Sequence, residues 1–420
     1  MKLIHTSDWH LGGRLHDQDR YVEHEAFSAW LLDLLRQERP DALVVAGDVF
    51  DTCAPSNRAQ EVYFSLLAAI YKEGLCQAVV VVGGNHDSPS LLDAPASVLT
   101  HLSARVVGAV DPADPGREVV LVPDRTGQPA LAIAAVPYLR DGDLRTAQPG
   151  ESETDRTARL HEGVRAHYEA IAQRARQQAR DQAGRDLPLA LTGHLYMTGA
   201  TLSDERSERA MRIGNLGALP QDLLPAADYC ALGHLHTPQA LGGGPCCYSG
   251  SPLPMSFAEA KQAKSVVIVE FGPLAGAAVA IQRRTVPVFQ RLEQVRGSPE
   301  SIRARLRELV LATGPEPAGI WVEVQVTEGA EDLRAFWGEL PRLVEGSAVR
   351  ILACQNCRPQ ALAAAARDVE VVGLEQLTPQ DVFAMRLADE PGVSDDERVW
   401  LAALFADVVK TALEADARRE

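Results

Sequence analysis

Residues 39–51 read Arg-Pro-Asp-Ala-Leu-Val-Val-Ala-Gly-Asp-Val-Phe-Asp. The run Ala42–Ala46 is too short for a stable helix and has no polar alternation, so it predicts a strand covered on both faces. Gly47 then lets the chain turn sharply, which leaves Asp48 and Asp51 at the strand's carboxyl end. In layered α/β folds that end is where loops converge on a ligand.

Working outward, the same arrangement recurs. Lys2–Ser7 predicts a strand that runs into Asp8-Trp9-His10. Ala78–Val82 predicts a second buried strand, which runs into Gly83-Gly84-Asn85-His86-Asp87. Helices are expected between them, over Glu23–Gln37 (Phe27, Trp30, Leu31, Leu34 and Leu35 near helical spacing) and around Ala59–Lys72. Two later buried strands, Leu187–Thr192 and Tyr229–Leu232, lead into Gly193-His194 and Gly233-His234-Leu235-His236. Glu118–Val122 and Ala130–Ala135 flank Arg-Thr-Gly-Gln and predict a hairpin. Val266–Glu270 and Ala277–Arg283 could close the sheet, and the Arg-rich but charge-balanced Glu151–Arg185 predicts a solvated helix. This β-α-β-α-β order predicts an α/β layered core with helices outside.

A boundary is expected near Thr285–Gln290, giving a first domain over 1–285. A smaller α/β unit over 286–373 follows: Ser298-Pro299 opens a helix, Ile320–Val326 alternates as a half-buried strand, and Glu331–Leu343 and Val349–Cys354 complete it. The remaining segment, 374–420, predicts a helical pair. One helix begins at Thr378-Pro379 and the other at the capping box Ser394-x-x-Glu397. The second helix carries an apolar face of Trp400, Leu404, Phe405, Val408 and Val409. A helical pair cannot bury such a face by itself, so it docks either on its own domain or on a partner.

Composition sets limits. Hydrophobic residues at 46% and charged residues at 23% of 420 exclude a disordered chain. No apolar run reaches the ~18 residues of a membrane span, and the N-terminus is too polar for a secretory signal. Seven cysteines form no disulfide framework, and the lone Cys354-x-x-Cys357 lacks the second half of a zinc site. Reduced thiols and a cytoplasmic location are expected. A net charge of −16 excludes a whole-surface polyanion binder. It does not exclude nucleic acid, since charges more than ~8 Å apart are largely screened and the local field decides.

The polar groups at the strand ends carry the chemistry. Asp8 and His10 are two apart, as are His234 and His236, so each pair points to one side in extended chain. Carboxylate, imidazole and amide oxygen suit Mn²⁺, Fe²⁺ or Zn²⁺, with no thiol involved. The set is large enough for two metals sharing a carboxylate, a device that activates water and stabilises both oxygens of a phosphoryl displacement. Asp8 and Asp48 contribute −2 and two divalent ions about +4, so only the loaded site attracts a phosphodiester. Singly, D-x-H or H-x-H is more often a turn or surface pair; the joint occurrence, each member after a strand, is what points to a site.

The set D-x-H, G-D-x-x-D, G-N-H-D, G-H and G-H-x-H resembles the calcineurin-like metallophosphoesterase superfamily. Residues 39–51, Val136-Pro-Tyr-Leu-Arg140, Asp228–His236, Tyr248-Ser-Gly-Ser-Pro252, Ser256-Phe-Ala-Glu259 and Lys264-Ser-Val266 are similar to its SbcD-type nuclease family. The resemblance is strong over about 1–285 and looser beyond. It implies a metallophosphoesterase β-sandwich flanked by helices, a small capping domain and C-terminal helices. It also implies one metal on Asp8, His10, Asp48 and His236, and a second on Asp48, Asn85, His194 and His234, most commonly Mn²⁺. His86 stands at the place of the family's catalytic histidine, Asp87 would orient it, and Asp51 would lie near the phosphate or behind the ligands. The implied substrates are DNA duplex ends, hairpins and single strands. The implied partner is an SbcC-like coiled-coil ABC ATPase gripped by the Trp400–Val409 face, with a homodimer fitting the family. Asp204–Arg209 would be a loop beside the site. A small-molecule phosphodiesterase and a non-catalytic DNA-end scaffold are the competing readings.

Overall fold

The Ala42–Ala46 run is a strand, and every one of its residues is buried. In the computed structural model it sits inside a six-stranded sheet, ordered 280–285, 265–270, 2–6, 42–46, 78–82, 104–107. The structure describes residues 1–146, 150–201, 217–312, 319–329 and 333–357, with Phe383, Leu401 and Phe405. Strands 2–6, 42–46, 78–82 and 104–107 run parallel, and 265–270 and 280–285 add an antiparallel edge. A second six-stranded sheet is ordered 239–241, 246–248, 229–233, 189–194, 129–134, 119–123. Its central strands 246–248, 229–233, 189–194 and 129–134 are also parallel.

The two sheets pack face to face. Leu3, Val44, Val80 and Val267 of one meet Leu131, Ile133, Ala190 and Tyr229 of the other. Alternate residues of the same strands point outward. Ile4, Leu43, Val45 and Val81 pack under helices Tyr21–Glu38 and Asn57–Glu73. This double coverage is why the strands read as unbroken apolar runs.

Helix Glu153–Ala183 departs from the solvated helix expected there. It buries Leu160, Val164, Tyr168, Ile171, Ala172, Ala175 and Ala179 on the second sheet and is its outer layer. Its charges occupy only the opposite face. The expected hairpin is present, Val119–Pro123 against Pro129–Ala134.

A third sheet, ordered 291–297, 320–326, 349–356, carries helices Pro299–Ala312 and Leu333–Val344 around its own core. Ser298 Oγ accepts from the Ser301 N–H at 3.3 Å, as the expected helix start requires. Leu292 and Trp321 of this sheet cluster with Leu15 and Phe257 of the sandwich. The chain divides into two compact units, Met1–Gln355 and Asn356–Glu420. In the second, the Phe383 and Phe405 rings stack with centroids 4.1 Å apart at 6°. The expected helix starts at Thr378 and Ser394, the residues Trp400, Leu404, Val408 and Val409, and the Asp204–Arg209 loop all lie outside the described residues.

Candidate metal centre

Parallel strands deliver their carboxyl ends to one edge. Asp8 and His10 follow the strand 2–6, Asp48 follows 42–46, and Asn85 and His86 follow 78–82. His194 ends 189–194 and His234 follows 229–233. Four of these residues, Asp8, His10, Asp48 and His234, have positive φ (53°, 45°, 49° and 92°). They are half of the eight non-glycine residues with that backbone among those described. Such strain persists only where the surroundings over-determine it, and here it gathers at one site. Backbone bonds hold it: the Asp8 N–H donates to Gly47 O and the His10 N–H to Asp48 O, at 2.9 and 3.0 Å. Gly47 and Gly84 leave the necessary room, because a Cβ at either would overlap the His194 ring or the Asp48 carboxylate.

Three groups of ligand atoms converge: Asp8, His10 and His236; His10, Asp48 and His86; Asp48, His194 and His234. Within each, one atom per residue lies within 4.8 Å of the others. Asp48 stands between histidines, its Oδ2 3.2 Å from His194 Nε2 and 3.6 Å from His10 Nε2. Its Oδ1 accepts from the His86 N–H at 2.9 Å. Asn85 Oδ1 is 3.0 Å from His194 Nε2 and 2.9 Å from His234 Nδ1.

These residues fit divalent cations. His194 Nδ1 lies 2.9 Å from the Ala46 carbonyl, so it donates there and its Nε2 points toward Asp48 and Asn85. His10 Nε2 is buried without a hydrogen-bond partner, which is costly unless a cation uses it. Burial disfavours the Asp48 carboxylate, yet His194, His10 and His86 hold it well below the usual range. Burial alone would lower His194, but the Asp48 and Asp8 carboxylates lift it to about 9. His234, penalised by burial and by His194, falls to about 3. A buried carboxylate pair demands positive charge, and oxygen and nitrogen donors without thiolate match divalent metals such as Mn²⁺.

The chain matches the family model for calcineurin-like phosphoesterases over residues 1–238. Residues 288–390 match the model described as a Type 5 capsule protein repressor C-terminal domain. The chain is 33% identical over 415 residues to the SbcD subunit of the nuclease SbcCD of Escherichia coli K12, covering 98% of both chains. It is 32% identical over 391 residues to that of Rhodobacter capsulatus, covering 91% of this chain and 94% of the relative. Against that of Bacillus subtilis it is 34% identical over 277 residues, 65% of this chain and 67% of the relative. The chain belongs to the SbcD family of calcineurin-like phosphoesterases. It is a phosphodiester hydrolase of the metal-dependent nuclease type, and the family implies divalent metal ions.

In this SbcD relative, the surroundings of the ligands carry groups that motif reading left without a role. Asp8 Oδ2 accepts from Ser7 Oγ at 2.5 Å, Ser7 Oγ is 2.7 Å from Ser249 Oγ, and Asp8 Oδ1 accepts from the His234 N–H at 2.9 Å. His236 Nδ1 lies 3.7 Å from Glu259 Oε1. Buried Lys264 donates to Glu259 Oε2 at 2.5 Å, to the His236 carbonyl at 2.9 Å and to Ser251 Oγ at 3.1 Å. The blocks around residues 249, 259 and 264 were visible as family blocks, but only geometry assigns what they touch.

Asp87 departs from its expected place. Its carboxylate accepts from the N–H groups of Val49, Phe50 and Gly84 at 2.8–3.1 Å, so it ties two loops together rather than orienting the His86 ring. That ring is held by the Asp51 main-chain carbonyl, 2.8 Å from Nδ1. The Asp51 carboxylate lies 3.2 Å from His10 Nδ1, behind a candidate ligand. Among the described residues no helix is long and apolar enough to cross a membrane, and all seven cysteines are unpaired.

Proposed function

We propose that this chain is a DNA nuclease subunit with a binuclear manganese site. It would degrade duplex ends and cut single strands and hairpins, in DNA end processing, repair, recombination and replication. The observation that carries this reading is the convergence of three ligand groups from the strand ends of both sheets, with Asp48 in two of them. Asp8, His10, Asp48 and His236 would hold one ion, and Asp48, Asn85, His194 and His234 the other. When bound, such ions supply Lewis acidity and a nucleophile at neutral pH.

The chain's own groups do the rest. His194 keeps its Nε2 toward the centre by donating through Nδ1 to Ala46 O. His86 is exposed, and its Nδ1 is engaged by Asp51 O, so Nε2 is the nitrogen left to give a proton to the leaving oxygen. Asp51 and Glu259 orient the rings of His10 and His236.

The relatives' name, which makes each a subunit of SbcCD, supports a second component, an SbcC-like coiled-coil ABC ATPase. We assign it to Trp400, Leu404, Phe405 and Val408, in a C-terminal segment 374–420. Domains 1–285 and 286–373 would be nuclease and cap, within a homodimer acting in the cytoplasm. The test is cleavage of end-labelled duplex DNA by the purified chain with Mn²⁺, with and without the ATPase, beside His86→Ala. Mn²⁺-dependent cutting abolished by His86→Ala is the expected result. Silence on DNA in both settings, with turnover of a small phosphodiester, would overturn the substrate class.

A further inference from the structure

The block Val136-Pro-Tyr-Leu-Arg140 has no role in the chemistry above. It follows the strand Pro129–Ala134, whose parallel neighbour Leu189–His194 ends in His194. Tyr138 and Arg140 therefore emerge at the sheet edge that carries the metal centre. The Tyr138 N–H donates to Gly83 O at 2.8 Å, which ties the segment to the loop bearing Asn85 and His86. Leu139 is buried and fixes the segment from below. The Tyr138 ring meets His194 edge-on, with centroids 6.2 Å apart and planes at 81°. The Arg140 Cζ lies 5.6 Å from the Tyr138 centroid.

Two aspartates follow Arg140 closely, and neither neutralises it. The Asp141 carboxylate is engaged by Arg145 and Arg156. The Asp143 carboxylate accepts from the Arg140 main-chain N–H at 2.8 Å. Among the described residues no ion pair involves the Arg140 guanidinium, although the chain carries a net charge of −16. A half-buried arginine that no carboxylate among the described residues pairs with, one aromatic ring away from a candidate metal ligand, is placed for a bound anion.

Resting on the nuclease reading, we propose that Arg140 binds the phosphate next to the scissile one on the DNA strand. Tyr138 acts as a positioning residue that holds the guanidinium over its ring. A planar fork takes a phosphate through two parallel N–H bonds, which a flexible lysine reproduces only in charge. The subsite fixes where along a strand the scissile phosphate sits, and a mononucleotide or simple diester has nothing to offer it.

The test compares kcat/KM of the full chain with Mn²⁺ on a thymidine pentanucleotide and on thymidylyl-thymidine, which has a single phosphodiester. Arg140→Gln is expected to lose about ten-fold more on the pentanucleotide than on the dinucleotide, chiefly in KM. Its salt dependence should flatten by about 0.7 in the log–log slope, one single-strand phosphate contact. Arg140→Lys should recover part of the loss. Tyr138→Phe, which keeps the ring, should match the unmodified chain more closely than Tyr138→Leu does. Equal losses on both substrates, or an unchanged salt slope, would overturn the subsite while leaving the nuclease reading standing. An unmodified chain that hydrolyses the dinucleotide but not the pentanucleotide would overturn the nuclease reading, and the subsite with it.

Discussion

The two halves of the centre are held in different ways. In the half formed by Asp48, Asn85, His194 and His234, His194 is fully buried and oriented by the carbonyl of Ala46, a strand residue. In the half formed by Asp8, His10 and His236, both rings face carboxylates, His10 Nδ1 at 3.2 Å from Asp51 and His236 Nδ1 at 3.7 Å from Glu259. The His236 side chain is 27% exposed. The first half is thus built into the sheet, and its geometry comes with folding. The second depends on carboxylates carried by loops, one of them held in turn by Lys264.

The largest effect should come where the halves meet. Asp48 faces histidines of both, so Asp48→Ala should abolish the proposed binuclear site and lower activity below detection. Elemental analysis checks it: two metals retained per chain would show that the halves do not share this carboxylate. Next comes His86→Ala, which removes a proton donor and leaves the proposed ligands in place. A loss of ~10²–10⁴ in kcat with full metal content is expected. Because His86 Nδ1 engages a main-chain carbonyl, His86→Gln should not restore the rate, since an amide cannot carry the proton.

Glu259→Gln separates the halves most directly. It leaves His194 and His234 untouched and weakens the hold on His236, so metal affinity should fall by ~10–100-fold at one of two sites. Titration of the metal-free protein should then show one tight and one weakened event. Two equally weakened events would mean that the halves are not independent. Glu259→Gln also leaves Lys264 buried beside a neutral amide. Pairing it with Lys264→Met removes that complication and should keep the single weakened event.

The same division governs what the sequence could tell. Asp8, His10, Asp48, Asn85, His86, His194, His234 and His236 stood out because each ends or follows an apolar strand; parallel pairing brings those ends together within each sheet, and the face-to-face packing of the two sheets joins the sets. The layered core was legible for the same reason, since an unbroken apolar run as short as Val79–Val82 suits a strand covered on both faces and little else. What holds the ligands was far less legible. The carbonyls of Ala46 and Asp51 leave no side-chain signature; the resemblance implied that Asp87 orients His86, whereas its carboxylate accepts from three backbone N–H groups. Glu259 lies 23 positions beyond His236, and no spacing rule joins them. Helix 153–183 read as solvated because its seven buried residues are small or widely spaced among arginines, a stripe that shows only when wound at helical pitch.

The smallest effect tests whether the support of Asp8 is directional. Ser7 has one hydroxyl proton, and the 2.5 Å contact to Asp8 Oδ2 uses it. The 2.7 Å contact between Ser7 and Ser249 is then Ser249 donating to Ser7, in preference to its longer 3.3 Å contact with Gly250 O. Ser249→Ala leaves an unpaired lone pair on a buried hydroxyl, at a cost of about 1 kcal/mol in stability, with the bond to the carboxylate intact and metal content unchanged. Ser7→Ala instead strips a donor from a buried charged oxygen, where a lost bond costs about 1.5–3 kcal/mol. Denaturant titration of the metal-free variants resolves the two. If they are equally destabilised, the proton does not sit between Ser7 and Asp8, and Asp8 depends on the His234 N–H alone. That would tie it to the strand-anchored half and erase the contrast between the two.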